Sequence, residues 1–250
     1  MVVSPARGRL DRYSLYQMQD FLTERGVYAV VVGLLVGWTS LLEMRGAHGD
    51  AWRTSPMSGV FAMQGIKAAL NGFAFLGVLL TSTGVIANDR KHGYYRFLFT
   101  KPVSVVRYYF QAWLVSGAGL LVVCALLIAV WNYVAAPVAP WGLLQAMAIY
   151  FVLVGGVAFL MSSLVRFDWV ATASVWGLTQ VLRSIYETRS GVLAWAVNHL
   201  LPPTHRLMDV LNALPASDPV DRAGLAWILG YGVVCMVLGL TVVRFRPMGR

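Results

Sequence analysis

Residues that commonly do chemistry in proteins are few in this chain, and they are scattered. The histidines are His48, His92, His199 and His205. No pair of them has the spacing of a metal or haem ligand set, and no Gly-x-x-x-x-Gly-Lys-Ser/Thr phosphate loop occurs. We therefore predict no catalytic centre, no metal site and no cofactor bound by this chain. If the protein uses ATP, another chain must bind it.

The two cysteines carry no signal for oxidative chemistry. Cys124 and Cys235 both lie inside long apolar runs, where a thiol behaves as a small hydrophobic group. We predict neither a disulfide nor a metal ligand at these positions.

The composition is that of a membrane protein. Of the 250 residues, 58% are hydrophobic and 12% charged, whereas roughly a quarter of the residues of a soluble domain are charged. This excludes a water-soluble globular protein. The net charge of +9 more often reports orientation and lipid contact in such a chain than nucleic-acid binding, so we expect membrane lipids and no nucleic acid among its partners.

Six uncharged apolar stretches approach the roughly 20 residues that a spanning helix needs. They are Val27 to Leu42, Leu70 to Ala87, Phe110 to Val134, Leu143 to Val165, Trp169 to about Tyr186, and Ala223 to Val243. The first is short, and the fifth carries Arg183 near one end, where its side chain could reach the headgroups. The sequence thus predicts an all-α integral membrane protein with six transmembrane helices, in which residues 1–250 form a single transmembrane domain.

The distribution of positive charge predicts the orientation. Six spans place both termini on one side, and the segments on that side hold thirteen Lys and Arg residues against seven on the other. By the positive-inside rule, both termini are cytoplasmic in a multi-pass protein of the cell (inner or plasma) membrane.

Two segments outside the spans are amphipathic. Residues 1–26 contain apolar side chains near helical spacing between Leu10 and Arg25, which predicts a cytoplasmic interfacial helix that leads into the first span. Residues 187–222, between spans five and six, predict a short re-entrant or interfacial helix over Gly191 to Leu201 and a second helix with Thr204 as its N-cap. An ordinary outer loop with two apolar patches is the alternative.

One glycine pair in the first span has helix-packing spacing. Gly33 and Gly37 form a GxxxG pattern, which lets two helix backbones approach closely in lipid. Chance or packing within the chain explains the pair more readily than a dimer contact does.

The cytoplasmic segment between spans two and three, residues 88–109, reads NDRKHGYYRFLFTKPVSVVRYY. Its aromatic run predicts a short helix, Pro102 favours an extended Lys101, and Ser104 can cap the next helix. Aromatic residues beside cations suit docking to a protein, and they suit the lipid headgroup layer equally well.

The order of residues in this segment resembles a known family. The pattern Asp89-x-x-x-Gly93, then Pro102-Val103-Ser104, then Arg107-Tyr108 is similar to the cytoplasmic loop of ABC-2 type transporter permeases. Two positions depart from the family pattern, since Asp89 replaces the usual glutamate and Gln111 stands where a lysine is common.

The resemblance implies a permease subunit of an ATP-binding cassette exporter. Such a subunit pairs with a second copy or a related permease and binds two cytoplasmic ATPase subunits, which carry ATP and Mg²⁺. The residues carried over as the coupling element are Asp89, Gly93, Tyr94, Phe97 and Pro102. The nearly uncharged spans favour an apolar or amphipathic substrate. The alternative is a non-transporting membrane anchor or scaffold subunit that uses the same loop to hold a cytoplasmic protein.

Overall fold

The chain folds into α-helices. The structure is a computed structural model that describes residues 17–19, 21–48, 57–86, 89, 104–186, 191–216 and 218–245, and within these residues the fold is 90% helical with no strand. A π-helical turn, Phe21–Gly26, runs directly into α1. The α-helices are α1 (Val27–His48), α2 (Ser58–Ser82), α3 (Val105–Val134), α4 (Pro140–Leu164), α5 (Asp168–Tyr186), α6 (Val192–Leu200), α7 (Thr204–Ala216) and α8 (Arg222–Phe245).

Among the described residues, five helices are long and apolar enough to cross a membrane: α1, α2, α3, α4 and α8. They indicate a multi-pass membrane protein. α5 has 19 residues but falls outside this group, since its composition includes an aspartate, an arginine and several hydroxyl and amide side chains.

The second span differs from its predicted bounds at both ends. α2 begins at Ser58 rather than Leu70, and Lys67 lies half-buried inside it. Lys67 interrupts the uncharged stretch in the sequence, although the aliphatic stem of a lysine can pack along a helix. α2 ends before the predicted Ala87 because Gly84 adopts a φ of +77°, a left-handed conformation that terminates helices.

The chain divides into two compact units. Unit 1 comprises Met1–Thr81 and Arg107–Pro140. In it, Phe21 meets Gly119 and Gly33 meets Leu127, so α1 and α3 run in the same direction. The Arg25 guanidinium at the start of α1 donates to a carbonyl in the last turn of α2, which makes α2 antiparallel to both.

Unit 2 comprises Ser82–Val106 and Trp141–Arg250. A Cβ atom on Gly156 would collide with the backbone of Gly232, and one on Gly239 would collide with Phe159. Glycines at such contacts let helix backbones approach closely in lipid. Because the contacts advance along α4 and α8 together, these two helices are parallel, and the chain between them must return to the end where α4 began.

α5 makes this return. It begins four residues after the end of α4, and the Tyr150 ring of α4 lies 5.9 Å from the Trp176 ring of α5. Near the end of α5, Arg183 lines the same cavity as Trp227, which lies near the start of α8. At about 1.5 Å per residue, α5 is about 28 Å long, close to the roughly 30 Å of a hydrocarbon core.

The two faces of α5 are inverted relative to a helix on a water-soluble protein. Its buried side chains are all polar: Asp168, Thr172, Thr179 and Arg183. Its exposed large apolar side chains are Trp169, Val170, Leu178, Val181 and Ile185. A helix at a water-facing surface buries its apolar stripe and exposes its polar one, so this arrangement is suited to lipid rather than to water.

Two short helices occupy most of the segment predicted as re-entrant or interfacial. α6 and α7 are joined through Pro202 and Pro203. Thr204, the predicted N-cap, is instead the first helical residue of α7, and its hydroxyl donates to Gln180 Oε1 at 3.4 Å. The side of the membrane on which these helices lie stays a prediction.

We predict that Gly232→Leu destabilises unit 2 strongly while Gly230→Leu does not. The backbone of α4 blocks a side chain at Gly232, whereas nothing lies within 4 Å of a Cβ at Gly230. Overpacking of this kind typically costs about 1–3 kcal/mol, and more where backbone must shift. Thermal unfolding of both variants in detergent checks the difference, and equal losses would contradict the packing of α4 on α8.

Candidate functional site

Of the five predicted coupling residues, only Asp89 lies within the described part of the chain. Asp89 is helical and half-buried. Gly93, Tyr94, Phe97 and Pro102 lie outside the described residues, so their role stays a prediction. Ser104 is exposed and immediately precedes α3, which is the position of an N-cap.

The turn that begins this segment is held by a buried carboxylate. The Gly84 N–H donates to Asp168 Oδ2 at 2.6 Å, and Asp168 is 3% exposed. Gly84 closes α2 in the left-handed region, where a residue with a Cβ would cost roughly 1–2 kcal/mol. The Gly84–Asp168 bond therefore fixes the chain five residues before Asp89 against the start of α5.

Asp168 lies in the first turn of α5, where the helix favours a negative charge. Its second oxygen, Oδ1, accepts from the Trp169 N–H at 2.9 Å, and the Thr172 hydroxyl donates to the Asp168 carbonyl at 2.8 Å. Unpaired N–H groups and the helix dipole stabilise anions at this end of a helix. The carboxylate thus has a partner for each oxygen even though it is almost fully buried.

The last turn of α2 also accepts a hydrogen bond from a side chain of unit 1. Arg25 Nη1 donates to the Thr81 carbonyl at 3.3 Å, and the Thr81 hydroxyl donates back to the Gly77 carbonyl at 2.8 Å. A cation near the final carbonyls of a helix is favourable because those carbonyls carry the negative end of the dipole. The Arg25 guanidinium therefore stabilises the end of α2 within unit 1.

The two glycines of the first span, Gly33 and Gly37, differ in what surrounds them. A Cβ on Gly33 would lie 2.6 Å from Leu127 Cδ1, whereas nothing lies within 4 Å of a Cβ on Gly37. Gly33 is buried in this chain by α3. Gly37 has open space around it, so a contact with a second chain there stays a prediction.

The sequence interpretation missed Gly84 and Asp168. Asp168 stood just outside the predicted fifth span, which was begun at Trp169. The signal was the spacing of the polar residues in α5, since positions i, i+4, i+11 and i+15 share one face of a helix. Nothing in the sequence pairs Asp168 with Gly84.

The His, Cys, Asp and Glu side chains form no metal-binding cluster in the described part of the chain. Cys124 and Cys235 are buried as free thiols in apolar helices.

No protein-family model, no curated protein and no solved structure matches this chain.

We predict that Asp168→Ala loosens the turn at the end of α2. The substitution removes the acceptor of the Gly84 N–H, and leaving such a group unsatisfied costs about 1–3 kcal/mol. Hydrogen–deuterium exchange of residues 82–86 in detergent should therefore accelerate. Asp168→Asn keeps an acceptor oxygen and should have a smaller effect.

The control for this experiment is Asp218→Ala, which changes an exposed aspartate. Exchange at residues 82–86 that is the same in Asp168→Ala and Asp218→Ala would show that the Gly84–Asp168 bond does not hold the turn.

Proposed function

We propose that the protein is a permease subunit of an ATP-binding cassette transporter, driven by a separate cytoplasmic ATPase. The observation that carries the proposal is the Gly84–Asp168 bond. It supplies a mechanical connection between the base of the segment that resembles a coupling loop and a helix of the membrane bundle. A loop that transmits force needs such a connection.

The proposal includes six membrane crossings, with α5 as the fifth. Three observations support this: α4 and α8 are parallel, α5 runs back between their ends, and α5 buries its polar face while exposing apolar residues. Polar groups in membrane helices are placed toward the protein interior because lipid cannot satisfy them. The mean hydropathy of α5 is low because it averages the polar and the apolar face.

The proposed orientation follows from the same contacts. Gly84 and Asp168 bring the end of α2 and the start of α5 together. The segments next to these two points, 88–109 and 165–167, contain six Lys and Arg residues. By the positive-inside rule we assign this end to the cytoplasm, where an ATPase can reach the loop.

Coupling would proceed through the base of the loop. ATP-driven closure of the two ATPase subunits would push on residues 88–109, and the Gly84–Asp168 bond would pass the displacement to α5. Rigid-body movement of helices is a common form of such transitions. The energy comes from contacts that differ between the inward-facing and outward-facing states.

The partners follow from the same proposal. ATP and Mg²⁺ bind to the ATPase subunits, and a second copy or a related permease completes the membrane unit. α1 has an apolar face that no other part of the described chain covers, including Tyr28, Leu35 and Trp38; either lipid or that second subunit would contact it. The cargo class is apolar or amphipathic, because the five long helices offer little charge to an ionic solute.

We predict that mild detergent extraction from the native cell recovers the chain with an ATPase that carries a Walker motif. In proteoliposomes of that complex, Gly93→Trp and Pro102→Ala should lower transport-coupled ATP hydrolysis by about fivefold or more, the lower range of typical coupling between sites. The physical reason is that both changes alter the shape of the docking segment. Gly46→Trp is the matched control. Gly46 lies near the C-terminal end of α1, and a Cβ added there would meet open space.

Purification without any ATPase under these conditions would contradict the proposal. A stable ATPase complex that shows no nucleotide-dependent movement of the permease would instead favour the scaffold function.

A further inference from the structure

α2 exposes two amide side chains, Gln64 and Asn71, although it is long and apolar enough to cross a membrane. The hydrocarbon that surrounds such a helix offers neither a hydrogen-bond donor nor an acceptor. Polar side chains of membrane helices are therefore placed against the protein interior, a water-filled cavity or another polar group. Something other than acyl chains must cover these two amides.

Asn71 lies at hydrocarbon depth whatever the exact position of α2 along the membrane normal. α2 has 25 residues, which at about 1.5 Å per residue span about 37 Å, whereas the hydrocarbon core is roughly 30 Å thick. Asn71 is about 20 Å from the first residue of the helix and about 17 Å from the last. Even at the extreme positions of the helix, this residue is therefore about 10 Å or more inside the hydrocarbon.

The exposed face of α2 has the spacing of a helix–helix contact. Gln64, Ala68 and Asn71 are exposed, and the half-buried Phe61 and Phe75 continue the same row. The steps along this row alternate between three and four residues, which is the repeat of two helices that pack along their length at a small crossing angle. The two amides thus belong to one continuous seam.

Small residues let a second helix approach this seam closely. Ala68 lies at its centre, and the neighbouring Gly72 is exposed. Close approach of backbones and hydrogen bonds across the contact both stabilise helix pairs in lipid. The half-buried Lys67 lies at the flank of the seam rather than in it, so a partner helix can pack on the seam without covering that ammonium group.

A second copy of the chain offers the groups that match this seam. Two copies inserted in the same orientation are related by a two-fold axis along the membrane normal, so each residue of α2 lies at the same depth as its counterpart. The Asn71 amide donates through its NH₂ group and accepts through its oxygen. It can therefore bond to Asn71 of the partner subunit at hydrocarbon depth, and Gln64 can bond in the same way nearer one surface.

From these observations we infer that the face of α2 formed by Gln64, Ala68 and Asn71 is the contact with a second copy of this chain. The inference deepens the proposed function, on which it rests, by naming the surface that joins two permease copies. Self-association is measured on this chain without an ATPase. A negative result would therefore refute the α2 contact, while co-purification with an ATPase would still decide the proposed function.

Single cysteines test the contact in the full chain reconstituted in liposomes, after Cys124 and Cys235 are replaced with alanine. Ala68→Cys should cross-link two copies through a short bifunctional thiol reagent, since a single cysteine can react only with the same position on another chain. Ala118→Cys is the matched control, because Ala118 is an exposed alanine near the middle of α3. We expect cross-linked dimer from Ala68→Cys and only background from Ala118→Cys.

Asn71→Leu tests whether hydrogen bonds hold the contact. Leucine is compatible with lipid and Asn71 is exposed, so this variant should fold. We expect the dissociation constant of the dimer, measured by counting fluorescent subunits in liposomes, to rise about threefold to tenfold, the usual strength of interhelical hydrogen bonds in membranes. Asn71→Gln keeps the amide and should retain most of the affinity.

Three results would overturn the inference: a monomeric chain in liposomes, equal cross-linking of Ala68→Cys and Ala118→Cys, or an unchanged dissociation constant in Asn71→Leu. If Ala68→Cys does not cross-link but reacts with a water-soluble, membrane-impermeant thiol reagent, the face lines a water-filled path instead of a contact between copies.

Discussion

The backbone contact between α4 and α8 at Gly156 and Gly232 constrains the rest of unit 2. The backbone of Gly232 occupies the space that a Cβ on Gly156 would need, and the backbone of Val152 and Leu153 occupies the space that a Cβ on Gly232 would need. Contacts this close are favourable in lipid because dispersion and packing, rather than water exclusion, drive helix association. Together with the contact of Gly239 with Phe159, this backbone contact shows that α4 and α8 run parallel. The chain between them must therefore return to the end where α4 began.

α5 makes this return although it is less hydrophobic than the five long helices. Its buried side chains are all polar, and several of its large apolar side chains are exposed. Hydroxyl groups on its buried face bond to its own carbonyls, as Thr172 and Thr179 do, and its charged residues lie close to its two ends. Asp168 at one end bonds to Gly84 at the base of the loop, and Arg183 at the other end lines the same cavity as Trp227. α5 therefore connects the proposed cytoplasmic coupling point to the opposite end of unit 2.

Long uncharged helices could be predicted from the sequence, and contacts between distant residues could not. α3, α4 and α8 lie within a few residues of their predicted bounds because nothing interrupts their apolar runs. The predicted start of the second span was wrong because a single lysine, Lys67, interrupts the apolar run. The buried polar face of α5 was readable from its spacing. The Gly84–Asp168 bond and the cavity join residues from separate segments, and local patterns carry no information on such pairs.

The crossing of α5 is the claim on which the topology, the coupling route and the position of the cavity all depend. It can be measured with single cysteines at Arg166→Cys, between α4 and α5, and Asp218→Cys, between α7 and α8, after replacing the buried Cys124 and Cys235 with alanine. Both positions are exposed. If α5 crosses, a membrane-impermeant maleimide labels Arg166→Cys only from the cytoplasmic face and Asp218→Cys only from the opposite face. Labelling of both from the same face would contradict the crossing.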